Sequence, residues 1–488
     1  MRREAALHRP VRGSSLSAWL LFAVFVFTGT YLEEIAFLSF GSTSRDTTRG
    51  LTTSTSTTTS VVSSSTKNRF HRLQHLRFAA FGSSRTYGIK LRNRTEDAYI
   101  GLLSGGQAHN YAIRATGPDY PGRCLSTMIP NDNDDEMYDV IVVDFHAYRF
   151  TVKAADDDRH DLTTLVTRLR RRFPAALIVF FEDWIPVLYY HKPTEMYFAD
   201  YLQVKHPHVR FDMKNSTLYD VFFQDSDNKD WEYRGDAYTE EERALARSVG
   251  AIVATMPRHA DSLLSTLHQY GHCIDPDLNH YTSDGHQLIA QTIHDAILGH
   301  FGTQLPVRSS STRRNNNNNV QEGSRQRQRQ DQCESVFNTG KANNVVYSEG
   351  VVIDEYRTDT FTYAVVSKPH VWFRLANNTL YPRPARLAVV YMALGKRRSF
   401  PDATITVASL PPRNVSTVHL DAAVGYNVNW MVDLGIVQSK EIHIRVDVPA
   451  YRQTSWPFRI TGFTLTEVQQ VIDNNNNNNN NENLVAVS

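Results

Sequence analysis

Short apolar runs alternate with amphipathic segments between residues 69 and 302. Residues 77–81, 138–144 and 175–181 are apolar runs of the length that strands buried on both faces of a parallel sheet have. Between the last two runs, apolar residues recur at helical spacing: Leu162, Leu165, Val166 and Leu169. Because strands that alternate with helices are typical of βαβ units, we expect an α/β domain with a parallel sheet over residues 69–302.

Residues 335–470 show a different pattern. Segments such as RLAVVYMAL, TITVASL and EIHIRVDV alternate or run apolar, with turn residues between them and no helical periodicity. This pattern predicts a C-terminal all-β sandwich domain, with the jelly roll as a candidate type. Its Trp372, Trp430 and Trp456 are either core residues, the commoner case in a sandwich, or a surface on which sugars stack.

An uncharged, mainly apolar segment, residues 18–32, lies near the N-terminus and follows several arginines. Its length falls between that of a signal-peptide core and the roughly 20 residues of a spanning helix. Because no A-x-A-like cleavage site follows and the Arg-rich side is expected to stay cytoplasmic, we favour a transmembrane signal anchor with residues 1–17 in the cytoplasm. The remaining chain would then lie in the ER or Golgi lumen or at the cell surface, and cleavage would instead give a secreted protein.

Three polar segments lack the apolar residues that a fold needs. Residues 33–68 contain a stretch, 42–66, in which 18 of 25 residues are Ser or Thr, so we expect a disordered stalk. Residues 303–334 are predicted to be a low-complexity linker and residues 471–488 an Asn-rich tail. The glycosylation sequons agree with a glycoprotein of the secretory pathway, and they lie at Asn93, Asn215, Asn377 and Asn414.

Composition limits the classes of partner and site. The 488 residues include 52 Lys and Arg against 51 Asp and Glu, so the net charge of +1 argues against a nucleic-acid partner. Cys124, Cys273 and Cys333 are too few for a disulfide scaffold and lack the spacing of a zinc site, so no metal or cofactor is expected. In an oxidising lumen we expect one disulfide and one free thiol, and the Cys124–Cys273 and Cys273–Cys333 pairings are equally reasonable.

Candidate chemistry lies at the two ends of the α/β region. Gly82-Ser83-Ser84 follows the first apolar run, at the sheet edge where open α/β folds bind ligands. Residues 277–290 read DLNHYTSDGHQLIA and lead into a predicted helix that ends at Gly299. A carboxylate three residues before a histidine can orient an imidazole that activates a hydroxyl. Each segment alone is common, as a helix cap or as a solvated loop histidine.

Together, the two segments resemble block I (G-D-S-L-T-x-G) and block V (D-x-x-H-P) of the SGNH, or GDSL-type, hydrolases. The resemblance covers residues from about 70 to 302 and implies a flavodoxin-like parallel-sheet sandwich. It also implies that Ser84 is the nucleophile, His280 the general base and Asp277 the residue that orients the base. Ser83 stands where block I has its Asp, which leaves all three of these roles filled.

The middle blocks match less closely. Residues 110–116 resemble block II, with Ala115 where the family has a glycine whose N–H enters the oxyanion hole. Phe145-His146-Ala147-Tyr148 follows the second apolar run where block III has G-x-N, so Tyr148 stands in place of the Asn donor. The resemblance implies an oxyanion hole made by the N–H groups of Ser84 and Ala115. The candidates to replace the missing donor are Asn110, His146 and Tyr148.

The implied reaction is acyl transfer through a covalent ester, without a metal. With water as the acceptor, the protein would be an esterase that acts on an acylated small molecule or carbohydrate; with a sugar hydroxyl, it would be a secretory-pathway O-acyltransferase. A third hypothesis is a non-catalytic glycan-binding membrane protein with a degenerate SGNH domain, for which the missing block III Asn argues. We expect the esterase, because the Ser84, His280 and Asp277 set is intact and hydrolysis is the commoner outcome in the family.

Overall fold

The computed structural model describes most of the chain between residues 70 and 468. The described ranges are 70–129, 138–148, 155–206, 230–260, 262–302, 331–335, 345–349, 351–355, 362–378, 380–393, 403–409, 414–420, 428–449 and 458–468. The predicted cytoplasmic N-terminus, signal anchor, stalk and tail lie outside these ranges, as does the predicted linker up to residue 330. Among the helices of the described ranges, none combines the length and apolar character that crossing a bilayer requires.

Five parallel strands form the centre of the first domain, in the order β2-β1-β3-β4-β8. They are β1 (Phe78–Gly82), β2 (His109–Asn110), β3 (Val140–Asp144), β4 (Leu177–Glu182) and β8 (Ile252–Thr255). Every residue of β1, β3 and β4 is buried, which explains why their sequences run apolar instead of alternating. Counted along the sheet-forming strands alone, the order is 2-1-3-4-5, that of flavodoxin-like folds. The predicted parallel α/β sheet is confirmed.

Helices cover both faces of this sheet. Their bounds are α1 (Ser84–Tyr87), α2 (Arg94–Asp97), α3 (Tyr99–Ser104), α4 (Asp119–Met128), α5 (Ala155–Arg172), α6 (Phe198–Lys205), α7 (Thr239–Ser248), α8 (Leu263–Tyr270) and α9 (Ser283–Phe301). Apolar residues of α3, α8 and α9 pack in one core layer and those of α4, α5 and α7 in the other. The α9 helix continues past Gly299 and has its C-cap at Gly302, which corrects the predicted end.

A small antiparallel sheet is inserted between β4 and β8. Its strands are β5 (Tyr189–His191), β6 (Met196–Tyr197) and β7 (Trp231–Tyr233), in the order β6-β5-β7. Short 3-10 turns accompany it and occur elsewhere in the domain, at His71–Leu73, His146–Tyr148, Pro186–Leu188, Lys192–Thr194, Arg234–Tyr238 and Gly271–Cys273. The insertion leaves the carboxyl end of β4, which is the sheet edge that also carries Ser84.

The second domain is a sandwich of two antiparallel sheets, as predicted. One sheet has the order β10-β13-β18-β15-β16 and the other β11-β12-β19-β14-β17, with β9 paired to β19. The strands are β9 (Asp331–Ser335), β10 (Val345–Tyr347), β11 (Val351–Glu355), β12 (Thr362–Val366), β13 (His370–Ala376), β14 (Ala385–Ala393), β15 (Ala403–Ser409), β16 (Asn414–Leu420), β17 (Val428–Val437), β18 (Glu441–Asp447) and β19 (Arg459–Glu467). Residues 331–334, predicted as linker, therefore belong to a strand.

Trp372 lies on the outer face of the sandwich, with 46% of its surface exposed. Its neighbours along β13 alternate between buried and exposed, and the guanidinium of Arg445 lies 5.8 Å from its ring centre. Trp372 is therefore not a core residue. The side chains of Trp430 and Trp456 lie outside the described part of the chain.

A disulfide joins the two domains, between Cys124 on α4 and Cys333 on β9. Neither predicted pairing is present, because α4 packs against β9 while Cys273 is buried elsewhere as a free thiol. Around the disulfide, Tyr120 packs in one apolar cluster with Ala388, Val390 and Met431 of the sandwich. The contact between the domains thus combines a covalent bond with a buried apolar surface.

Asn377 is fully buried although it belongs to a glycosylation sequon. Its amide nitrogen donates to the Ser439 carbonyl at 3.1 Å, and its Oδ1 accepts from the N–H groups of Leu380 and Tyr381, both at 3.2 Å. A glycan on this nitrogen is incompatible with the folded sandwich. Asn93, in contrast, is exposed and caps α2 by accepting from the Glu96 N–H.

Candidate active site

Ser84 is the first residue of α1, directly after the end of β1. The chain reaches it through Gly82, whose position leaves no room for a side chain: a Cβ there would lie 1.9 Å from Thr86 Oγ1 and 2.8 Å from the Asp144 carbonyl. Glycine lets the end of β1 run close against β3 before the chain turns into the helix. Ser84 therefore stands at the carboxyl edge of the sheet, beside the point where the strand order reverses.

Three side chains from the two ends of the domain form one hydrogen-bonded series. Ser84 Oγ lies 2.8 Å from His280 Nε2, and His280 Nδ1 lies 2.7 Å from Asp277 Oδ2. Ser84 and His280 are 196 positions apart in the chain. The structure thus brings together the predicted nucleophile, base and orienting carboxylate.

The loop between the short turn at Gly271–Cys273 and α9 holds His280 in place. Asp277 Oδ1 accepts from the backbone N–H groups of Asn279 at 3.0 Å and His280 at 2.9 Å. Between Asp277 and Asn279, Leu278 adopts a left-handed backbone with φ of +63°, which costs a non-glycine residue about 1 kcal/mol. The carboxylate therefore shapes the loop with one oxygen and contacts the imidazole with the other.

Local charges keep Asp277 ionised. Burial pushes the pKa of this carboxyl upward, but the hydrogen bond and charge of His280, the Asn279 N–H and the nearby ammonium of Lys90 outweigh burial and hold the pKa well below its usual range. Asp277 is therefore a carboxylate at any pH near neutrality, as an acceptor for an imidazole N–H must be.

A buried ionic network lies beneath α1. Arg85 Nε is 2.9 Å from Asp183 Oδ2, and both side chains are almost fully buried. Thr86 Oγ1 donates to Asp144 Oδ2 at 2.6 Å. Burial and the charge of Asp183 raise the pKa of Asp144 to about 7, against the opposing effect of Arg85. Within the described residues, no group of three or more His, Cys, Asp or Glu side chains is arranged to hold a metal ion.

This network ties the serine helix to the histidine loop. Arg85 Nη1 donates to Asn279 Oδ1 at 3.4 Å, and Asp183 Oδ1 accepts from the Ala147 N–H at 2.9 Å. Sequence reasoning missed Arg85, Asp144 and Asp183. The available signal was an arginine directly after the candidate serine and acidic residues at the ends of two apolar strands.

The candidate oxyanion donors are held in different ways. The Asn110 side chain donates to the Thr86 carbonyl at 2.9 Å and accepts from the Ala112 N–H at 3.1 Å. His146 is buried with Nδ1 2.6 Å from Glu242 Oε2; burial would lower its pKa, but the carboxylate raises it. Ala115 has a φ of +52°, the backbone that favours the glycine of block II. The side chain of Tyr148 lies outside the described part.

No protein-family model and no curated protein sequence matches this chain. Among solved structures, it is similar to a two-domain esterase active on acetylated mannans, co-crystallised with mannopentaose, at 14% identity and a TM-score of 0.43, over 81% of this chain and 94% of that one. It is also similar to a family two carbohydrate esterase from Clostridium thermocellum in complex with cellohexaose, at 13% identity and a TM-score of 0.31, over 46% of this chain and 65% of that one. A third is a protein assigned to the G-D-S-L family of lipolytic proteins from Desulfitobacterium hafniense, at 10% identity and a TM-score of 0.29, over 45% of this chain and 99% of that one.

GDSL-type proteins and carbohydrate esterases are thus among the structures to which the chain is similar.

Proposed function

We propose that this protein is a serine-dependent acyl-ester hydrolase. The observation that carries the proposal is the unbroken series from Ser84 Oγ through His280 to Asp277, with contacts of 2.8 Å and 2.7 Å. A serine hydroxyl is a weak nucleophile until a base within hydrogen-bond distance accepts its proton, and the base works best when a third group orients it.

In the proposed reaction, His280 Nε2 takes the proton of Ser84 as Oγ attacks the acyl carbon. The resulting imidazolium keeps its Nδ1–H on the carboxylate of Asp277, which stabilises the positive charge. His280 then gives its proton to the leaving alcohol, and the acyl group remains on Ser84 as an ester. Water, deprotonated by His280, then attacks the ester, and His280 returns the proton to Ser84 Oγ as the acid leaves.

The negative charge on the carbonyl oxygen needs hydrogen-bond donors during each attack. The N–H of Ser84, at the start of α1, is one proposed donor. Ala115 remains the predicted second donor, and its left-handed backbone, which glycine adopts most readily, supports that assignment. Asn110 and His146 already bond to Thr86 and Glu242, so we do not assign the third donor to either.

We propose an acylated carbohydrate as the substrate class. This proposal follows from the predicted luminal location, in which a single-pass anchor at residues 18–32 holds the protein. Glycans are the abundant hydroxyl-rich polymers in that compartment. Because one structurally similar esterase is active on acetylated mannans, acetylated mannan is the first polymer to test, with p-nitrophenyl acetate as the small reporter ester.

The test is labelling of the full-length chain with a fluorophosphonate probe, with the modified peptide identified by mass. We expect a label on Ser84 that is lost in Ser84→Ala and kept in the matched control Ser83→Ala, which removes the neighbouring buried hydroxyl. A folded protein that carries no label at Ser84 would contradict the hydrolase and favour the glycan-binding hypothesis.

Hydrolysis and transfer differ in the acceptor of the acyl group. We expect acetate release from acetylated mannan in water, with little change when free sugar is added. If the unlabelled enzyme instead acylated the added sugar and released no acetate, the O-acyltransferase would replace the esterase, with the same three residues in the same roles.

A further inference from the structure

Lys90 approaches the candidate site from the segment that follows α1. Its Nζ lies 3.1 Å from Asp277 Oδ2 and 3.4 Å from Asp275 Oδ1, and 40% of its side chain is exposed. Burial would lower the pKa of Lys90, but the two carboxylates raise it above its ordinary value, so the ammonium is charged throughout the neutral range.

On Asp277, the ammonium contacts the same carboxylate oxygen as the imidazole of His280. Asp277 Oδ2 receives both Lys90 Nζ and the Nδ1–H of His280, while Oδ1 receives two backbone N–H groups. A carboxylate with all of these partners has one available orientation, and that orientation points Oδ2 at the imidazole. An ordinary surface ion pair would not share its oxygen with the predicted base.

A fixed positive charge next to the orienting carboxylate also acts on the base itself. It opposes the formation of a second positive charge on His280, because like charges disfavour each other. Removal of the ammonium is therefore expected to reduce the activity most at acidic pH, where histidine side chains become protonated.

We propose that Lys90 is a positioning residue of this site, one that orients Asp277 and extends the activity of the proposed hydrolase to lower pH. The inference rests on the proposed function. It gives the segment after α1 a role that neither family motif assigns.

A Lys90 variant keeps the other charged and titratable side chains near His280, although Asp277 loses one of the groups that hold its pKa low. Asp275 and Asp277 lie on the same loop, and Arg85 contacts Asn279 from below. His286 faces His280 from α9, but burial and the charge of His280 lower its pKa to about 3, so it is neutral across the working range. A displaced pH profile in the variant would therefore report the ammonium.

The experiment compares kcat/KM for p-nitrophenyl acetate between pH 5 and 9 in the full-length chain and three variants. Lys90→Met removes the charge, Lys90→Arg keeps it, and Lys192→Met removes a matched exposed lysine that pairs with Glu232 in the inserted sheet. We expect Lys90→Met to move the acidic limb up by about 0.5 pH unit and to lose up to about threefold at pH 6, since a partly exposed pair is screened by solvent. The other two variants should follow the wild type.

Two results would overturn the role of Lys90: a Lys90→Met profile that superimposes on that of the wild type, or a loss that is equal at every pH and is not restored by Lys90→Arg. Lys90→Gln serves as the neutral variant if the methionine form does not fold, as judged by circular dichroism. Labelling of wild-type Ser84 separates a failure of the Lys90 proposal from a failure of the proposed hydrolase. An unlabelled wild type refutes the hydrolase and the role of Lys90 with it. A labelled wild type with unchanged Lys90 variants refutes only the role of Lys90.

Discussion

Asp277 is the residue on which the orientation of the proposed base depends. In Asp277→Asn the amide can donate to the imidazole and favour the wrong tautomer, so we expect kcat/KM to fall by roughly 10²–10⁴-fold while the fold is kept. Ester hydrolysis measures kcat/KM, and near-ultraviolet circular dichroism checks that the fold is kept. Asp295→Asn, on the exposed side of α9, is the control and should stay near wild type. Loss of less than tenfold in Asp277→Asn would remove Asp277 from the proposed mechanism.

Asp144 should make the stability of the protein depend on pH. Its pKa rises from 3.8 to about 7 on folding, mainly because the carboxyl is buried, so the folded protein keeps a proton that the unfolded chain releases. The stabilisation is fully present below pH 4 and is lost as the pH rises through 7. We expect the free energy of unfolding to decrease from pH 5 to 8 by more in the wild type than in Asp144→Asn, measured by urea unfolding. If the free energies of unfolding of the wild type and of Asp144→Asn changed equally with pH, Asp144 would be ionised in the folded protein.

Residue patterns predicted only some of the side chains in the site. Ser84, Asp277 and His280 were found because each belongs to a short local motif. The pairing of Arg85 with Asp183 depends on the distance between two strand ends, so no local spacing predicts it. Ala115 illustrates an intermediate case, since the motif gives its position but only the fold shows its left-handed backbone.

Two glycines in α9 give a matched test of how this helix is placed. A Cβ on Gly285 would lie 2.2 Å from the Cys273 carbonyl, whereas a Cβ on Gly299 would have no neighbour within 4 Å. We expect Gly285→Ala to lower the free energy of unfolding by about 1–3 kcal/mol, because the helix must move away from the loop. Gly299→Ala should raise it by roughly 0.5–1 kcal/mol. Urea unfolding of both variants checks the signs, and a neutral Gly285→Ala would contradict the close packing.

The elements themselves were predicted where burial dictates composition. The first, third and fourth strands of the sheet are apolar throughout because helices cover both faces, so their runs stand out in the sequence. Their ends differ by one or two residues from the predicted ranges, since a run of apolar residues extends into the flanking turns. The inserted strands β5, β6 and β7 were not predicted, because two or three residues are too few to show a period.

At the scale of the whole molecule, the disulfide between the domains should be detectable by thiol counting. The chain has three cysteines, and burial raises the pKa of Cys273 to about 12. We expect no reactive thiol in the native protein and one after unfolding without reductant, with Cys124 and Cys333 in one linked peptide. Cys273→Ser is the control and should show none in either state. Two or more reactive thiols in the unfolded wild type would contradict the Cys124–Cys333 bond.

The same bond should contribute to stability. Because it closes a loop of 209 residues, replacing both cysteines by serine should lower the free energy of unfolding by about 2–5 kcal/mol. The sequence could not assign this pairing, since it depends on how α4 of one domain lies against β9 of the other. The stability loss is measured by urea unfolding, with Cys273→Ser as the reference in which one cysteine is replaced and the disulfide is kept.

The buried amide of Asn377 has a consequence for biosynthesis. Glycosylation enzymes act on chains that are still emerging, and a chain that follows the predicted secretory route presents this sequon before the sandwich has closed. Folding and modification then compete for the same nitrogen, and the folded domain can form only in molecules that escape modification. The fraction of chains that carry a glycan at Asn377, measured against the exposed Asn93 in the same molecules, would therefore report how quickly the C-terminal domain folds during synthesis.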